Sequence, residues 1–374
     1  MPSTISRARG VLPAVTMVAA LATMALAART QTENRIYVNS EDVASEESLR
    51  GLYERWYRLY RPGGDPANKA KRYAIFKAEV RAVYELNEGD TRVKHHLNWF
   101  ADMSQGEYAE YFANCSPREI QPFGDIPAMN HHQPSRYYPD KLPLTVDWRT
   151  VDGVLTSVKQ QGNCGSCWAI AAAEAMESVH FLKNKQRTNL SAQELVDCTP
   201  NNEGCKGGFA SRAFQYVIDR RGIHSSEQYP YVGKAQYCDP PSVSPVMSIK
   251  KFYFVQRRNE KMLMDAVAHN PVVVLIVGAE NMHFKHYSGG IYRGPCGMDK
   301  KHEALLVGYG TTPSDDSNDP GAKYWIVKNS WGDSWGEKGY MRLARGHQAY
   351  GGLCGIMLDP KYPSHPKRLD HAYA

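Results

Sequence analysis

The chain reads as an α+β protein: a helical N-terminal region, then a two-lobed domain with one helical lobe and one lobe rich in strands. Two observations predict this. Helical patterns fill about 45–103 and recur at 169–182, 191–197 and 208–221, whereas strand-like apolar runs cluster at 272–277, 304–307, 324–327 and 339–343. Helices first and strands later mark an α+β chain. The span 142–374 is also long enough for two lobes of about 100 residues each.

The elements follow in order. Arg7 and Arg9 precede an apolar run at 11–28 that closes with Ala25-Leu26-Ala27. A charged start, an apolar stretch and small residues at the end describe a secretory signal, assigned to 1–27. The alternative is an uncleaved anchor, but the run is barely long enough to span a bilayer and carries Pro13, Thr16 and Thr23. No later stretch is a transmembrane candidate. Leu49, Tyr53, Trp56 and Tyr60 then form one helical stripe. Pro62-Gly63-Gly64-Asp65-Pro66 breaks the chain, and a second helix runs over about 67–87 with Arg72, Phe76, Glu79 and Val83 on one face. Periodicity alone makes this an ordinary two-helix hairpin. Residues 117–138, with Pro122, Pro127, Pro134 and His131-His132, read as an exposed, cuttable linker.

In the larger part, an Ala-rich helix follows Cys167. Ser191-Ala192-Gln193-Glu194 is a capping box opening a short helix to Asp197. A third helix covers 208–221 and is ended by Gly222. The polar, turn-rich stretch 311–320 reads as a surface insertion between two strands.

The chemistry centres on Gln161-Gly162-Asn163-Cys164-Gly165-Ser166-Cys167-Trp168. A thiol at a helix N-terminus sits at the positive end of the macrodipole, which favours its thiolate. Gln161 can aim an amide at an oxyanion beside that sulfur. Among thirteen histidines, His302 stands out because it opens an apolar strand that ends in glycines. A Cys–His pair of this kind stabilises both charges and supports nucleophilic acyl transfer. Cys164-x-x-Cys167 also has redox or zinc spacing. The redox reading lacks a small βαβ context, and the zinc reading lacks a second ligand pair, since Cys198 and Cys205 are too far apart.

Cys-Gly-Ser-Cys-Trp at 164–168, with His302 and Asn329 downstream, resembles the papain/cathepsin family of cysteine proteases, in which both lie about 130–150 residues after the nucleophile. Asn329 overshoots because of the 311–320 insertion. Asn68, Arg72, Phe76, Glu79, Val83 and Asn87 sit on the interspersed ERFNIN pattern of the inhibitory propeptide of cathepsin-L-like members; Asn68 and Glu79 depart from its residues. Asn98, Phe100 and Asp102 match the GxNxFxD motif, with His96 in place of its glycine. The wording of the motifs is plant-like.

The resemblance implies a papain-like fold with the active cleft between a helical lobe and a β-barrel-like lobe. It implies a division into signal (1–27), inhibitory propeptide (28–141) and peptidase (142–374), with the cut near Leu142. Cys167 is the implied nucleophile, His302 its acid–base partner, Asn329 the residue orienting the imidazole, Trp331 its shield, and Gln161 an oxyanion donor. Gly207 and Gly208 match the backbone segment that pairs with substrate. Phe209, Ala210, Leu275 and Asp359 match the pocket for the second residue upstream of the scissile bond; Asp359 either accepts a basic side chain there or points to solvent. The implied disulfides are Cys164–Cys205, Cys198–Cys238 and Cys296–Cys354, with Cys167 free and Cys115 left over in the removed segment. Three disulfides need an oxidising compartment, so the product is expected in the secretory pathway and then a vacuole, lysosome or the exterior.

Lys300-Lys301 replaces the usual Asn or Asp before the histidine, and a nearby ammonium is expected to lower the His302 pKa, with Glu303 as the offsetting charge. Propeptide inhibition is expected to weaken in acid as carboxylates such as Asp102 protonate. Neither metal nor cofactor is expected. The expected partners are protein and peptide substrates, the chain's own propeptide and cystatin-like inhibitors, on a monomer. The net charge of +6 is small and carries no basic block, so no nucleic-acid partner is expected. Asn114 and Asn189 fit the glycosylation sequon. Rival readings are a non-catalytic papain-like binding protein, which should lack Cys167, His302 or Gln161, and a thiol–disulfide exchanger, which should need both Cys164 and Cys167.

Overall fold

The computed structural model describes residues 35–110, 130–131, 142–297 and 300–364. The signal segment, Cys115, the Asn114 sequon, nearly all of the 117–138 linker and the tail beyond Ser364 lie outside the described residues.

Two helices make the first unit. α1 (Glu46–Tyr60) starts where Ser45 accepts the Ser48 N–H, and α2 (Pro66–Glu88) starts where Asp65 accepts the Ala67 N–H with proline in the first turn. They enclose a small core of Leu49, Leu52, Tyr53, Trp56, Phe76, Val80 and Val83. Trp56 is fully buried, and its indole N–H donates to Asn98 O at 2.8 Å. Tyr60 is only partly buried, so Leu52 completes the stripe in its place.

The larger domain opens with α3 (Cys167–Asn184), an Ala-rich helix buried from Cys167 to His180. Around it lie α4 (Ala192–Cys198) and α5 (Ala210–Asp219), while α6 (Glu260–His269) packs on the sheet. Beyond them is a sheet of β1 (Lys251–Phe254), β2 (Val272–Val277), β3 (Lys301–Thr311), β4 (Lys323–Lys328), β5 (Tyr340–Ala344) and β6 (Lys361–Ser364). Their order is β1-β6-β2-β3-β4-β5, all neighbours antiparallel. Val146–Asp147 adds to β3, Ile291–Tyr292 runs parallel to β5, and linker residues Asn130–His131 run parallel to β1.

Two expectations shift. Ser191 does cap α4 by accepting the Glu194 N–H, but Glu194 does not return the bond. Its carboxylate instead accepts from His224 N and Tyr216 OH, because a buried acid takes the strongest donors within reach. α5 begins at Ala210, two residues later than expected, and Arg221 rather than Gly222 takes the left-handed conformation that follows it. Gly207 has φ 122°, outside the helical region, and a Cβ at Gly208 would lie 2.6 Å from the Trp168 ring, so both positions call for glycine.

Charged groups tie α3 to the sheet. Lys328 on β4 and Glu174 on α3 form a fully buried pair at 2.7 Å. Disulfides join Cys164 to Cys205, Cys198 to Cys238 and Cys296 to Cys354.

Candidate active site

Cys167 is the first residue of α3. The residue before it, Ser166, gives no side-chain cap, and its hydroxyl pairs with Tyr231 OH at 2.6 Å. Cys167 therefore sits at the positive end of the helix dipole without a competing side-chain cap. Glu303 donates its backbone N–H to Cys167 Sγ at 3.2 Å. This places the sulfur against the start of β3, which also carries His302.

The expected free thiol at Cys167 is not what the structure holds. Cys167 is disulfide-bonded, and no cysteine is free among the described residues. The other described cysteines close on one another. Cys164 is closed on Cys205 and fully buried, so the Cys164-x-x-Cys167 spacing is not a dithiol.

His302 is buried, and its Nε2 lies 2.7 Å from Asn329 Oδ1. That oxygen also accepts the Ser330 N–H at 2.8 Å. The Trp331 ring lies 4.9 Å from the imidazole, centroid to centroid. Gln161 is fully buried and held at both ends of its amide: Nε2 donates to Cys164 O at 2.9 Å, and Oε1 accepts from Ser330 Oγ at 2.8 Å. Alternation along β3 sends Lys301 to the strand face opposite His302.

The expected subsite residues gather beside this group. Phe209 precedes α5 and Ala210 opens it; the Ala210 N–H donates to Glu303 Oε2 at 2.9 Å. Leu275 on β2 is the cross-strand neighbour of Glu303. Asp359 is buried, which excludes the solvent-pointing reading, but it does not await a basic side chain either. Its carboxylate binds Lys361 Nζ at 2.6 Å and Arg257 at 3.3 Å. Glu303, expected only to offset the neighbouring lysines, instead serves Ala210 and Lys361, partners that sequence reasoning did not foresee. The signal was present: an acid set inside the apolar run from Ala304 to Val307 has to find a buried partner.

The first unit packs over this end of the domain. Phe100 and Tyr108 set their rings edge-on to Trp331 at 5.4 and 5.8 Å. Asn98 donates to Lys285 O at 2.8 Å, and Lys285 Nζ donates to Met103 O at 2.9 Å. Lys94–His95 pairs antiparallel with the strand residues Tyr287–Gly289. Glu79, the ERFNIN departure on α2, is clamped by Lys285 at 2.9 Å and His286 at 2.6 Å, both fully buried. Arg72 grips Glu107 through two bonds of 2.5 and 2.7 Å.

The electrostatics follow from burial and pairing. Desolvation pushes His95 and His96 down to about 3 and lowers His286 as well. The Arg72 guanidinium holds Glu107 at about 2. Asp102 corrects an expectation. Burial outweighs its 2.8 Å pair with Arg61 and raises its pKa, so it takes a proton more readily in the folded state than outside it. A raised carboxyl supports the folded state below its unfolded pKa and loses that support as pH rises. Asp102 is therefore not a group whose protonation loosens the propeptide. Among the described residues no cluster of acidic, histidine or cysteine side chains could hold a metal ion, and no helix is long and apolar enough to cross a membrane.

Comparisons with known proteins match two separate parts of the chain. A family profile described as papain family cysteine protease matches residues 142–364, and one described as cathepsin propeptide inhibitor domain matches 53–108. Vignain from Ricinus communis is 40% identical over 327 residues, covering 87% of this chain and 88% of that protein. Thiol protease SEN102 from Hemerocallis sp. is 39% identical over 329 residues, covering 86% and 88%. Among solved structures, the proform of the ragweed pollen allergen Amb a 11, a cysteine protease, has a TM-score of 0.77 at 36% identity, over 89% of this chain and 99% of that one. The recombinant stem bromelain precursor has a TM-score of 0.76 at 34% identity, over 85% and 99%.

Proposed function

The chain belongs to the papain family of cysteine proteases and carries the family's inhibitory propeptide, and we propose that it is an acid-activated endopeptidase working through Cys167 and His302. The observation that carries this reading is the alignment of Cys167 Sγ, the head of β3 and the His302–Asn329 bond at one place. Once Cys167 is reduced, its thiolate attacks the peptide carbonyl and His302 protonates the leaving amine. Water activated by His302 then releases the acyl group. Asn329 orients the imidazole, Trp331 shields that bond, and Gln161 with the Cys167 N–H holds the oxyanion. Gly207 and Gly208 pair with the substrate strand. Phe209, Ala210 and Leu275 form the pocket for the second upstream residue and favour an apolar side chain. Lys361 and Arg257 neutralise Asp359 beneath it.

In the same reading, 1–27 is a removed signal, 28–141 the inhibitor and 142–374 the peptidase. The cut falls near Leu142, where Leu144 is 89% exposed. The route is secretory, ending in a vacuole, lysosome or the exterior; the protease is a monomer and is open to cystatin-like inhibitors.

The test is activation of the proform with acid and a thiol reductant, wild type beside Cys167→Ala, followed by hydrolysis of a Leu-Arg fluorogenic peptide. We expect cleavage near Leu142 and alkylator-sensitive hydrolysis in the wild type only. A wild type that stays intact and inactive after reduction contradicts the reading and favours a non-catalytic, papain-like binding protein.

A further inference from the structure

Beside the reacting pair lies a buried acid that the protease reading does not use. Glu303 follows His302 on β3 and is 1% exposed. Its carboxylate is shared between two parts of the domain. Oε2 accepts the Ala210 N–H at 2.9 Å, at the start of α5, and Oε1 accepts Lys361 Nζ, on β6, at 2.8 Å. α5 needs that acceptor. The residue before it is Phe209, which offers no side-chain cap, and a carboxylate suits the positive end of the helix.

Lys361 is fully buried between Glu303 and Asp359, and Arg257 reaches Asp359. Two carboxylates and two cations cancel, so the cluster offers no net negative charge to a ligand. A buried ionic cluster is seldom the most stable filling for its volume; apolar side chains of the same size often do as well. Its position therefore calls for an account. Glu303 also donates its N–H to Cys167 Sγ at 3.2 Å and lies opposite Leu275. Ala210, Leu275 and Asp359, three residues assigned to one substrate pocket, thus border on a single side chain.

We propose that Glu303 is a positioning residue for peptide hydrolysis: it ties the α5 segment bearing Phe209 and Ala210 to the strand bearing His302, and so fixes the pocket for the second upstream residue as one for uncharged apolar side chains. This rests on the protease reading, and the test separates the two.

Activated wild type, Glu303→Ala and Glu303→Gln are compared on a Leu-Arg reporter amide, an Arg-Arg reporter amide and an Arg reporter amide that lacks the second residue. The rate of Cys167 alkylation by iodoacetamide is followed in parallel. Glu303→Ala should lower kcat/KM on Leu-Arg about tenfold or more, mostly through KM. The single-residue reporter and the alkylation rate should stay within about twofold. Glu303→Gln keeps an oxygen for the Ala210 N–H and should regain most of the loss. Glu303→Leu fills the same volume without an acceptor and serves in place of Glu303→Ala if that variant does not fold. Equal losses on the Leu-Arg and single-residue reporters, or no loss on either, overturn the proposal. So does a wild type that prefers Arg-Arg to Leu-Arg. A wild type that is alkylated but hydrolyses none of the reporters sinks the protease reading itself.

Discussion

Asn329 turns its oxygen, not its amide nitrogen, toward His302, because the Ser330 N–H already donates to that oxygen. His302 Nε2 therefore carries the proton, and Nδ1 is left for the sulfur. Asn329→Ala removes this restraint, and a ring free to tilt misplaces the transferred proton. We expect kcat to fall about 10²-fold with KM little changed, read from steady-state kinetics of the activated enzyme; an unchanged kcat denies Asn329 the role. Cys167 carries a second prediction at this scale. Since its sulfur is disulfide-bonded, the intact proform should resist iodoacetamide until a reductant is added and should then be labelled at Cys167. Labelling without reductant would contradict the bonded state. That Cys167, His302 and Asn329 come together was legible in the sequence because each sits in a distinctive string at a characteristic spacing. The partners of Glu303 and the true environment of Asp359 were not, since a charged residue shows its partner only when distant strands are brought together. Asp359 finds Lys361 two residues away in sequence but Arg257 a hundred residues earlier.

Among the elements, the helical hairpin was read from a stripe of apolar residues, and the stripe held except at its end, where Leu52 took the place of Tyr60. Boundaries were less legible. Capping depends on which donor reaches a side chain, and Glu194 is drawn from its own helix to His224 and Tyr216. The core of the hairpin is small enough that one ring matters. Trp56 is buried against Tyr53, Phe76 and Tyr60 and donates to Asn98 O. Trp56→Ala should cost the hairpin about 3–5 kcal/mol. In a Cys167→Ala background, where self-cleavage is excluded, that loss should expose 35–110 to trypsin at neutral pH while the larger domain stays intact. Equal protease resistance in both proteins means that the domain, not the hairpin's own core, holds the propeptide in shape.

At the scale of the whole molecule, the proposed activation by acid needs groups that weaken docking as pH falls, and the carboxylates alone do not supply them. Asp102 acts with the opposite sign, and Glu107, held at about 2, keeps its pair with Arg72 through mildly acid conditions. Glu79 also has a lowered pKa, so its clamp on Lys285 and His286 is present above the ordinary carboxylate range and is lost only as pH falls through the lowered value. The interface instead buries neutral histidines: His95 and His96 at about 3, and His286 lowered by burial despite Glu79. Arg35, Lys285 and the neighbouring His283 oppose further protonation, while Asp90 and Glu79 favour it without overcoming desolvation. Once released, these rings titrate near 6.5, so below that pH the separated state binds protons that the docked state refuses. Docking then weakens by about 1.4 kcal/mol per pH unit for each such ring. His95 is the cleanest to test, because neither of its ring nitrogens has a hydrogen-bond partner and its backbone is held independently by Asn87. His95→Leu removes one titrating ring and two unsatisfied buried nitrogens. We expect self-processing of the reduced proform to become slower between pH 5 and 6 and its midpoint to move to lower pH by about half a unit. The measurement is the rate of appearance of the mature chain across pH 4 to 7. A profile superimposable on wild type would mean that the release of the propeptide is timed by some group other than these buried rings.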